Sequence, residues 1–363
     1  MMPSTAPLLV FVTMFAANEA GGIQAFHLDT ATGTLTPAAF TADCPNGFFL
    51  TLAPDRRTVY SLTAKKFGAA DTEEVLAWRI ADRDGRLEPL GRRSAKGPAT
   101  CYVAADPQGR SLLLAHYSGA TVAWLPLGPD GSLTGDPVTV RHEGTGPHPG
   151  RQEAPHPHAI VLAPAVPNAP QFVYAADLGA DAIFAYRLDG ATGGLVANEP
   201  ALVKTRPGAG PRHLAFHPDG RRLYAINELD NTVAVYDFDA ATGRLVERQV
   251  VSTLPPDFKG TTATADLKIT PDGQFLYGTN RGHDSIAAYR IGPDGLLALV
   301  EIIPSRGRGP QNLTITADGS LLLCANMPGD NLSVFRIDRD TGTLTAIGEP
   351  LTIKSPSCIA VVP

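Results

Sequence analysis

The sequence lacks the features that mark membrane-spanning and nucleic-acid-binding proteins. No apolar run approaches the roughly 18 residues that a membrane span needs. Charged residues make up only 18% of the 363 residues, the formal net charge is −6, and Lys and Arg form no cluster that would serve as a nucleic-acid footprint. We therefore expect neither a membrane nor DNA or RNA among the partners of this protein.

Cysteine is also scarce, and its four copies are scattered. Cys44, Cys101, Cys324 and Cys358 form no CxxC pair, so neither a zinc knuckle nor a redox pair is indicated. Three of them, all but Cys44, fall within predicted strands, where we expect small buried apolar residues, and scattered free thiols are typical of a reducing compartment. We predict a cytoplasmic location on this basis.

No Lys or Arg precedes the apolar N-terminal stretch, Leu8 to Ala17. A secretory signal peptide carries positive charge at that place, so we interpret this stretch as a β-strand rather than as a cleaved signal. The same strand is needed to complete a repeat that extends along the whole chain.

Glycine and proline, in contrast, are abundant, with 36 and 32 copies, as turn-rich antiparallel β structure requires. The segment Gly210 to Leu245 contains three short apolar runs, and turns such as Pro218-Asp219-Gly220 separate them. Similar blocks recur at Phe48 to Leu87, Cys101 to Leu133, His158 to Leu195, Ala265 to Leu296 and Pro310 to Leu344. Such self-similarity indicates a repeat fold in which each unit buries its faces on its neighbours.

The two ends of the chain supply one more copy of the block. Ser357 to Pro363 matches only its first strand, and Phe11 to Leu35 matches only its later strands. A ring that closes in this way leaves no unpaired sheet edge. We predict an all-β, seven-bladed β-propeller with four-stranded antiparallel blades. It would form one domain over residues 1–363, with the N- and C-terminal strands sharing a blade.

One face of this ring differs from repeat to repeat, whereas the turns of the opposite face stay nearly alike. The position of Arg212, which we name the mouth position, is occupied in chain order by Phe48, Cys101, His158, Arg212, Ala265, Gln311 and Ser357. Ionisable residues gather on the third, fourth and fifth copies, and the first strand of each blade is the innermost. A cluster of mixed charges at the mouth of the central channel is a candidate ligand site.

From this cluster we predict four catalytic residues and a set of substrate contacts. The catalytic residues are His158, Arg212, Glu228 and Arg281. The substrate contacts are Arg151, His156, Asp177, Asn227, Asn280, His283, Gln311 and Asn326. Structural alternatives stay open: Arg212 and Glu228 also fit an ordinary ion pair, the three asparagines also fit loop-bracing roles, and His213 and His217 also fit packed strand positions.

The longest break in the repeat, Arg141 to His158, contains four histidines. His156 and His158 would share one side of an extended segment and could ligate a metal with a nearby carboxylate. Pro157 and the lack of a third spaced ligand weigh against this, and closure over the channel is an alternative role for the segment. We predict neither a metal nor a cofactor.

Several motifs together resemble the seven-bladed lactonase family, which includes propeller-type 6-phosphogluconolactonases and the fungal 3-carboxy-cis,cis-muconate lactonizing enzyme. The resemblance covers essentially the whole chain. It is strongest at RQEAPHPHAI (151–160), DLGAD (177–181), GPRHLAFHPDG (210–220), YAINELD (224–230) and PDGQFLYGTNRGHDSIA (271–287). It implies a lactonase activity, and it carries the family's proposed site onto His158, Arg212, Glu228 and Arg281. The chain departs from the family at Tyr102, His116, Gln311 and Met327, so the resemblance supports the fold and the reaction type better than the identity of the substrate.

The expected function is hydrolysis of a small anionic sugar-acid lactone, with 6-phosphogluconolactonase-like activity as the first choice. Arg212 and Arg281 would bind the anion, and Glu228 or His158 would activate water. No Gly-x-Ser-x-Gly elbow occurs, so a covalent acyl-enzyme is not favoured. Two alternatives stay open: a cofactor-free muconate-type lactonizing cyclase and a non-catalytic ligand-binding propeller. The sequence does not indicate an oligomeric state.

Overall fold

The strands form seven sheets of four antiparallel strands each. The computed structural model describes residues 7–69, 73–167, 169–189 and 194–362, and within them it contains 28 β-strands and one short 3-10 helix, Asn18–Ala20. We number the sheets, or blades, in the order in which their innermost strands occur along the chain. The predicted seven-bladed propeller is confirmed.

Each blade takes its strands from one continuous stretch of chain, except blade 7, which uses both ends. The N-terminal part of the chain supplies the three outer strands of blade 7, which are β1 (Leu8–Met14), β2 (Gly22–Leu28) and β3 (Leu35–Thr41). Blade 1 contains β4 (Leu50–Leu52), β5 (Thr58–Ala64), β6 (Glu73–Ile80) and β7 (Leu87–Ser94). Blade 2 contains β8 (Thr100–Ala105), β9 (Ser111–His116), β10 (Thr121–Pro126) and β11 (Val138–Arg141). Blade 3 contains β12 (Pro157–Leu162), β13 (Phe172–Asp177), β14 (Ala182–Leu188) and β15 (Leu195–Lys204). Blade 4 contains β16 (Pro211–Phe216), β17 (Arg222–Asn227), β18 (Thr232–Asp239) and β19 (Arg244–Ser252). Blade 5 contains β20 (Ala263–Ile269), β21 (Phe275–Arg281), β22 (Ser285–Ile291) and β23 (Leu297–Pro304). Blade 6 contains β24 (Pro310–Ile315), β25 (Leu321–Asn326), β26 (Asn331–Ile337) and β27 (Leu344–Thr352), and β28 (Pro356–Val362) completes blade 7.

The ring is closed by pairing the two ends of the chain. Strand β28 lies antiparallel to β1, with Leu9 opposite Val362 and Phe11 opposite Ala360. Within the N-terminal apolar stretch, Leu8–Met14 is a strand, as predicted. No helix in the described part of the chain is long and apolar enough to cross a membrane.

The core lies between blades rather than in one central mass. Seven apolar clusters fill the seven interfaces between adjacent blades. Successive side chains of a strand point to opposite faces, so β17 directs Leu223 and Ala225 toward blade 3 and Tyr224 and Ile226 toward blade 5. The innermost strands of adjacent blades contact each other around the ring and surround the central channel.

A bulge occurs at the mouth position in most blades. The register between the first two strands skips Cys101, His158, Arg212, Gln311 and Ser357, and in blade 5 it skips Ala265 together with Asp266. A bulge inserts one extra residue and re-aims its side chain. The repeat therefore leaves an irregular position at the channel mouth in these six blades, where the residue type varies without disturbing the ladder.

The opposite face is held by one contact that recurs in four blades. Buried tyrosines on the second strand donate a hydrogen bond to a glycine carbonyl in a turn of the next blade, over 2.5 to 2.9 Å; the pairs are Tyr60–Gly131, Tyr174–Gly243, Tyr224–Gly295 and Tyr277–Gly342. These glycines have φ between 71° and 80°, a region that residues with a Cβ rarely adopt. This uniform face contrasts with the variable mouth.

All four cysteines are free and buried. The Cys101 Sγ lies 3.5 Å from the carbonyl oxygen of His158 in the next blade, and burial raises the pKa of the thiol to about 12. The interpretation of Cys101, Cys324 and Cys358 as small buried strand residues is confirmed.

Candidate functional site

Three arginines surround one carboxylate at the mouth of the channel. Glu228 accepts hydrogen bonds from Arg212 Nε (2.9 Å) and Arg151 Nη2 (2.6 Å), and Arg281 Nη2 lies 2.9 Å from the same oxygen that Arg212 contacts. Glu228 is 5% exposed, and Arg212 is almost fully buried behind it. The ion pair between Arg212 and Glu228 is therefore part of a four-residue cluster rather than an isolated contact.

Irregular backbone brings the four residues together. Arg212 occupies the bulge of β16, Glu228 follows the last residue of β17, and Arg281 ends β21. The Glu228 N–H donates to the carbonyl of Gly210 (2.7 Å), which fixes the start of the loop. Arg151 comes from the long segment that precedes β12, so this segment closes over the mouth from outside the repeat.

The cluster remains charged at neutral pH. Burial by itself would raise the pKa of Glu228, but the positive charges of Arg281, Arg212 and Arg151 outweigh burial and lower it from 4.5 to about 2. Burial and the neighbouring Arg281 lower the pKa of Arg212 to about 10, which still leaves it protonated. The cluster holds three positive charges against one negative charge and is therefore cationic.

His158 lies next to this cluster in a buried position. Its ring centroid is 5.5 Å from that of His213 and 5.3 Å from that of Tyr117, and its Nδ1 has no hydrogen-bond partner in the part of the chain that the structure describes. Burial first, and then the charge of Arg212, lower the pKa of His158 well below 6.5. The imidazole is therefore neutral at neutral pH.

A cleft of about 640 Å³ opens above the cluster. It extends over blades 4, 5 and 6 and under the segment that carries Arg151, and its polar lining includes Arg151, Glu228, Arg281, Asp284, Arg308 and Gln311. Concave sites of this size with few convergent polar groups are typical of small-molecule binding.

The seven-bladed ring is shared with a known family. A profile described as "Lactonase, 7-bladed beta-propeller" matches residues 9–361. The chain belongs to the seven-bladed β-propeller lactonase family.

Relatives within the lactonase family align over nearly the full chain. A protein of Bacillus subtilis (strain 168) named 6-phosphogluconolactonase is 33% identical over 96% of this chain and 97% of its own length. A 6-phosphogluconolactonase of Pectobacterium carotovorum subsp. carotovorum (strain PC1) is 33% identical, with coverage of 97% and 98%. The solved structure of a periplasmic gluconolactonase from Pseudomonas aeruginosa superposes with a TM-score of 0.90 at 30% identity and covers 98% of this chain and 99% of that one.

Four of the substrate contacts predicted for this lactonase-family chain lie inside the blades and do not line the cleft. Asp177, Asn227, Asn280 and Asn326 are at most 2% exposed. The asparagines bond across the tight turn between the second and third strands, for example to Thr232, Ser285 and Asn331. The asparagine side chains therefore brace turns, and substrate contact by these four residues stays a prediction.

Asp177 has its own buried partners in blade 3. Its carboxylate lies 2.6 Å from Nδ1 of His142, and it accepts hydrogen bonds from the backbone N–H groups of His156 (2.7 Å) and Ala180 (2.9 Å). His142 in turn contacts the Tyr186 hydroxyl over 2.7 Å. This network ties the segment before β12 to the blade and does not line the cleft.

Three other predicted contacts lie at or beside the mouth. Gln311 lines the cleft, and its Oε1 accepts a hydrogen bond from Arg281 Nη1 (3.3 Å). His156 stacks on Tyr117 with ring centroids 4.4 Å apart, and His283 contacts the Ser285 hydroxyl (2.7 Å). Neither histidine belongs to the cleft lining, and the buried His158 and Arg212 do not belong to it either. Within the described residues no three His, Cys, Asp or Glu side chains are grouped closely enough to hold a metal ion.

Sequence reasoning missed two features at the channel mouth. Asp266 and His213 form a buried pair beneath Arg212: His213 Nδ1 lies 2.8 Å from the Asp266 carboxylate, and His213 Nε2 lies 3.1 Å from Arg212 Nη1. The signal was a carboxylate in the middle of an innermost strand, in ATADLKI (263–269). The other feature is Arg308, which lines the cleft from a loop that the repeat alignment left aside.

Proposed function

We propose that the protein hydrolyses an anionic sugar-acid lactone, with 6-phosphogluconolactone as the first candidate substrate. The observation that carries the proposal is the cationic cluster of three arginines around Glu228, placed under an open cleft and beside a neutral buried histidine. Membership of the lactonase family and the names of the relatives support the same reaction class.

The arginines are suited to bind and polarise the lactone. Nη2 of Arg212 and both Nε and Nη1 of Arg151 make no hydrogen bond to the described residues, although both side chains are held by Glu228. Guanidinium groups that are already oriented stabilise the oxyanion as water adds to the carbonyl carbon, and their planar forks suit carboxylate or phosphate oxygens. In this proposal Glu228 keeps the arginines in place.

His158 is the better candidate for the base. Both oxygens of Glu228 are engaged by arginines and its pKa is about 2, so it is a poor proton acceptor. His158 is neutral, and its Nδ1 has no hydrogen-bond partner among the described residues. It would take a proton from the attacking water as the new C–O bond forms. It would then return the proton to the ring oxygen as the lactone C–O bond breaks, which releases the open sugar acid.

A lactone panel on purified protein tests the proposal. We expect hydrolysis of 6-phosphoglucono-1,5-lactone above the spontaneous rate, followed by pH-stat titration, and unchanged by a chelator. A rate equal to the spontaneous one for every lactone would refute the hydrolytic proposal and would favour a non-catalytic ligand-binding propeller. A rate that falls with chelator would refute the metal-free form.

A lactonizing cyclase is the second candidate. The excess positive charge of the cluster would also suit a muconate-like dicarboxylate. Loss of the ultraviolet absorbance of 3-carboxy-cis,cis-muconate upon addition of the protein would favour this reaction, whereas activity on the lactone panel alone would exclude it. The cytoplasmic location stays a prediction, since one structural relative is named as periplasmic.

A further inference from the structure

One arginine of the cleft has no carboxylate partner within the described residues. Arg151, Arg212 and Arg281 all share Glu228, whereas Arg308 makes no ion pair and uses one side-chain hydrogen bond, from Nη2 to the carbonyl of Pro328 (2.9 Å). Arg308 is exposed and lines the same cleft from blade 6. Its remaining N–H groups are available to a ligand.

The backbone around Arg308 is tightly held. The Arg308 carbonyl accepts a hydrogen bond from Gly329 N (3.0 Å), and the Gly309 N–H donates to the Asp284 carboxylate (2.7 Å). Gly309 has φ +60°, and a Cβ there would overlap Cγ of Pro328. The backbone of this loop is thus fixed between blades 5 and 6, so binding at the cleft does not have to order the loop itself.

The local charge is opposite in sign to that of the whole protein. The protein has a net charge of −6, but the cluster and the cleft together contain four arginines against two carboxylates, Glu228 and Asp284. The positive charge is distributed between two groups: the arginines around Glu228, and Arg308, which lines the cleft from the loop before β24. A substrate with a second anionic group away from its reacting ester would match both places.

We propose that Arg308 binds a phosphate monoester on the lactone substrate, and thereby sets a preference for phosphorylated over neutral sugar lactones. This rests on the proposed function, in which the lactone ring is bound by the arginines around Glu228. A guanidinium fork pairs with phosphate oxygens in a bidentate, charge-assisted geometry, which an uncharged hydroxyl at the same place does not reproduce.

The same loop supplies a matched control. Arg306 lies two residues earlier, and it donates to the Gly348 carbonyl (2.9 Å) and to the exposed Glu349 carboxylate (3.0 Å), away from the cleft. Arg308→Ala and Arg306→Ala each remove one arginine from one loop, so a general effect of charge or of loop stability would appear in both variants.

The experiment compares a phosphorylated and a neutral lactone. For Arg308→Ala, we expect kcat/KM for 6-phosphoglucono-1,5-lactone to fall about tenfold to hundredfold, mainly through KM. For glucono-1,5-lactone it should change less than about twofold. Arg306→Ala should leave both values unchanged, and Arg308→Lys should recover part of the loss. Equal losses on both lactones, or no loss on either, would overturn the proposal.

A binding measurement separates this proposal from the proposed function. By calorimetric titration, Arg308→Ala should bind 6-phosphogluconate about tenfold or more weakly, while the affinity for gluconate stays the same. If the wild-type protein hydrolyses neither lactone but this selective loss of affinity is seen, the lactonase function is wrong and the phosphate site stands. If the affinity for 6-phosphogluconate is unchanged, the phosphate site is wrong whatever the turnover.

Discussion

Glu228 and Asp266 are two buried carboxylates on neighbouring blades, and they are held by different kinds of partner. Asp266 accepts hydrogen bonds from five different groups of the protein; they are His213, the backbone N–H groups of Leu267 and Leu313, Lys268 and Asn312. Glu228 is held by three arginines that line the cleft mouth or lie just behind it. Burial would raise the pKa of either carboxyl, yet opposite charges and hydrogen bonds lower both.

The two carboxylates differ in how many free hydrogen-bond donors their partners retain. The donors around Asp266 belong to the innermost strands of blades 4, 5 and 6, so the charge is satisfied by the fold and joins these blades. The partners of Glu228 are long side chains with N–H groups left over. A buried charge with saturated partners indicates a structural role, and one whose partners retain free donors indicates a ligand site.

Replacing Asp266 should have the largest effect. Asp266→Ala leaves Lys268 and His213 without their acceptor, and breaking a buried charge network of this kind costs about 3–5 kcal/mol. We expect the free energy of unfolding in urea to fall by this amount. Glu349→Ala is the control, since this residue's side chain is 91% exposed and its pairing with Arg306 should contribute nothing measurable. A loss below about 1 kcal/mol for Asp266→Ala would remove the contrast with Glu228.

Replacing Glu228 should instead abolish most activity. Glu228→Gln keeps the shape but removes the charge that orients three arginines, and we expect kcat/KM on the lactone to fall about 100- to 1,000-fold. Its midpoint of thermal unfolding should also fall, because Arg212 stays buried without its carboxylate partner, but less than that of Asp266→Ala, because Arg151 and Arg281 can turn toward water. Retention of more than about a tenth of the wild-type kcat/KM would contradict a role in the reaction.

His158 should affect kcat more than KM. His158→Gln removes the proposed base, and kcat should fall about 100-fold. The base must be unprotonated, and burial lowers its pKa well below 6.5. The wild-type rate should therefore stay constant as pH falls through 6.5 and should decline only at lower pH. An acid limb centred at or above pH 6.5 would show that another group is the base.

The smallest effects should come from a matched pair of cations. Lys268 and Arg151 have side chains that are 36% and 35% exposed, and each serves one of the two carboxylates. Lys268→Met should lower the free energy of unfolding by about 1 kcal/mol without changing activity. Arg151→Met should raise KM about tenfold with little change in stability. Identical changes in stability and KM in the two variants would mean that the two carboxylates do not divide into a structural one and a ligand-binding one.

Most of the fold was predictable because its determinants are local and repeated. Turns such as Pro218-Asp219-Gly220 and the alternation along β17 recur in each blade, so a strand and its direction can be inferred from a few neighbouring residues. Alignment of the repeats also brought His158, Arg212 and Gln311 to one position per blade, and the bulges lie at that position.

The side-chain partners were not predictable in the same way. Asp177 aligns with Asn227 in the repeat, but its partner His142 comes from a segment outside the repeat, 35 residues away. Asp266 and Arg308 were overlooked, because several partners of the first, among them His213 and Asn312, come from other blades, and the second lies on a loop. Arg151 was predicted to contact substrate directly, and its contact with Glu228 became apparent only in the structure.

The amino-acid sequence by itself determined the seven-fold ring, its closure by β28 and β1, and the face on which the blades differ, since local periodicity and turn chemistry specify each of these. Only the tertiary structure decided which charges meet. The contacts of Glu228 with its three arginines, and the place of Arg308 in the cleft, depend on the positions of loops and bulges that belong to separate blades. The relative positions of these loops and bulges are set by packing between blades, which no single repeat encodes.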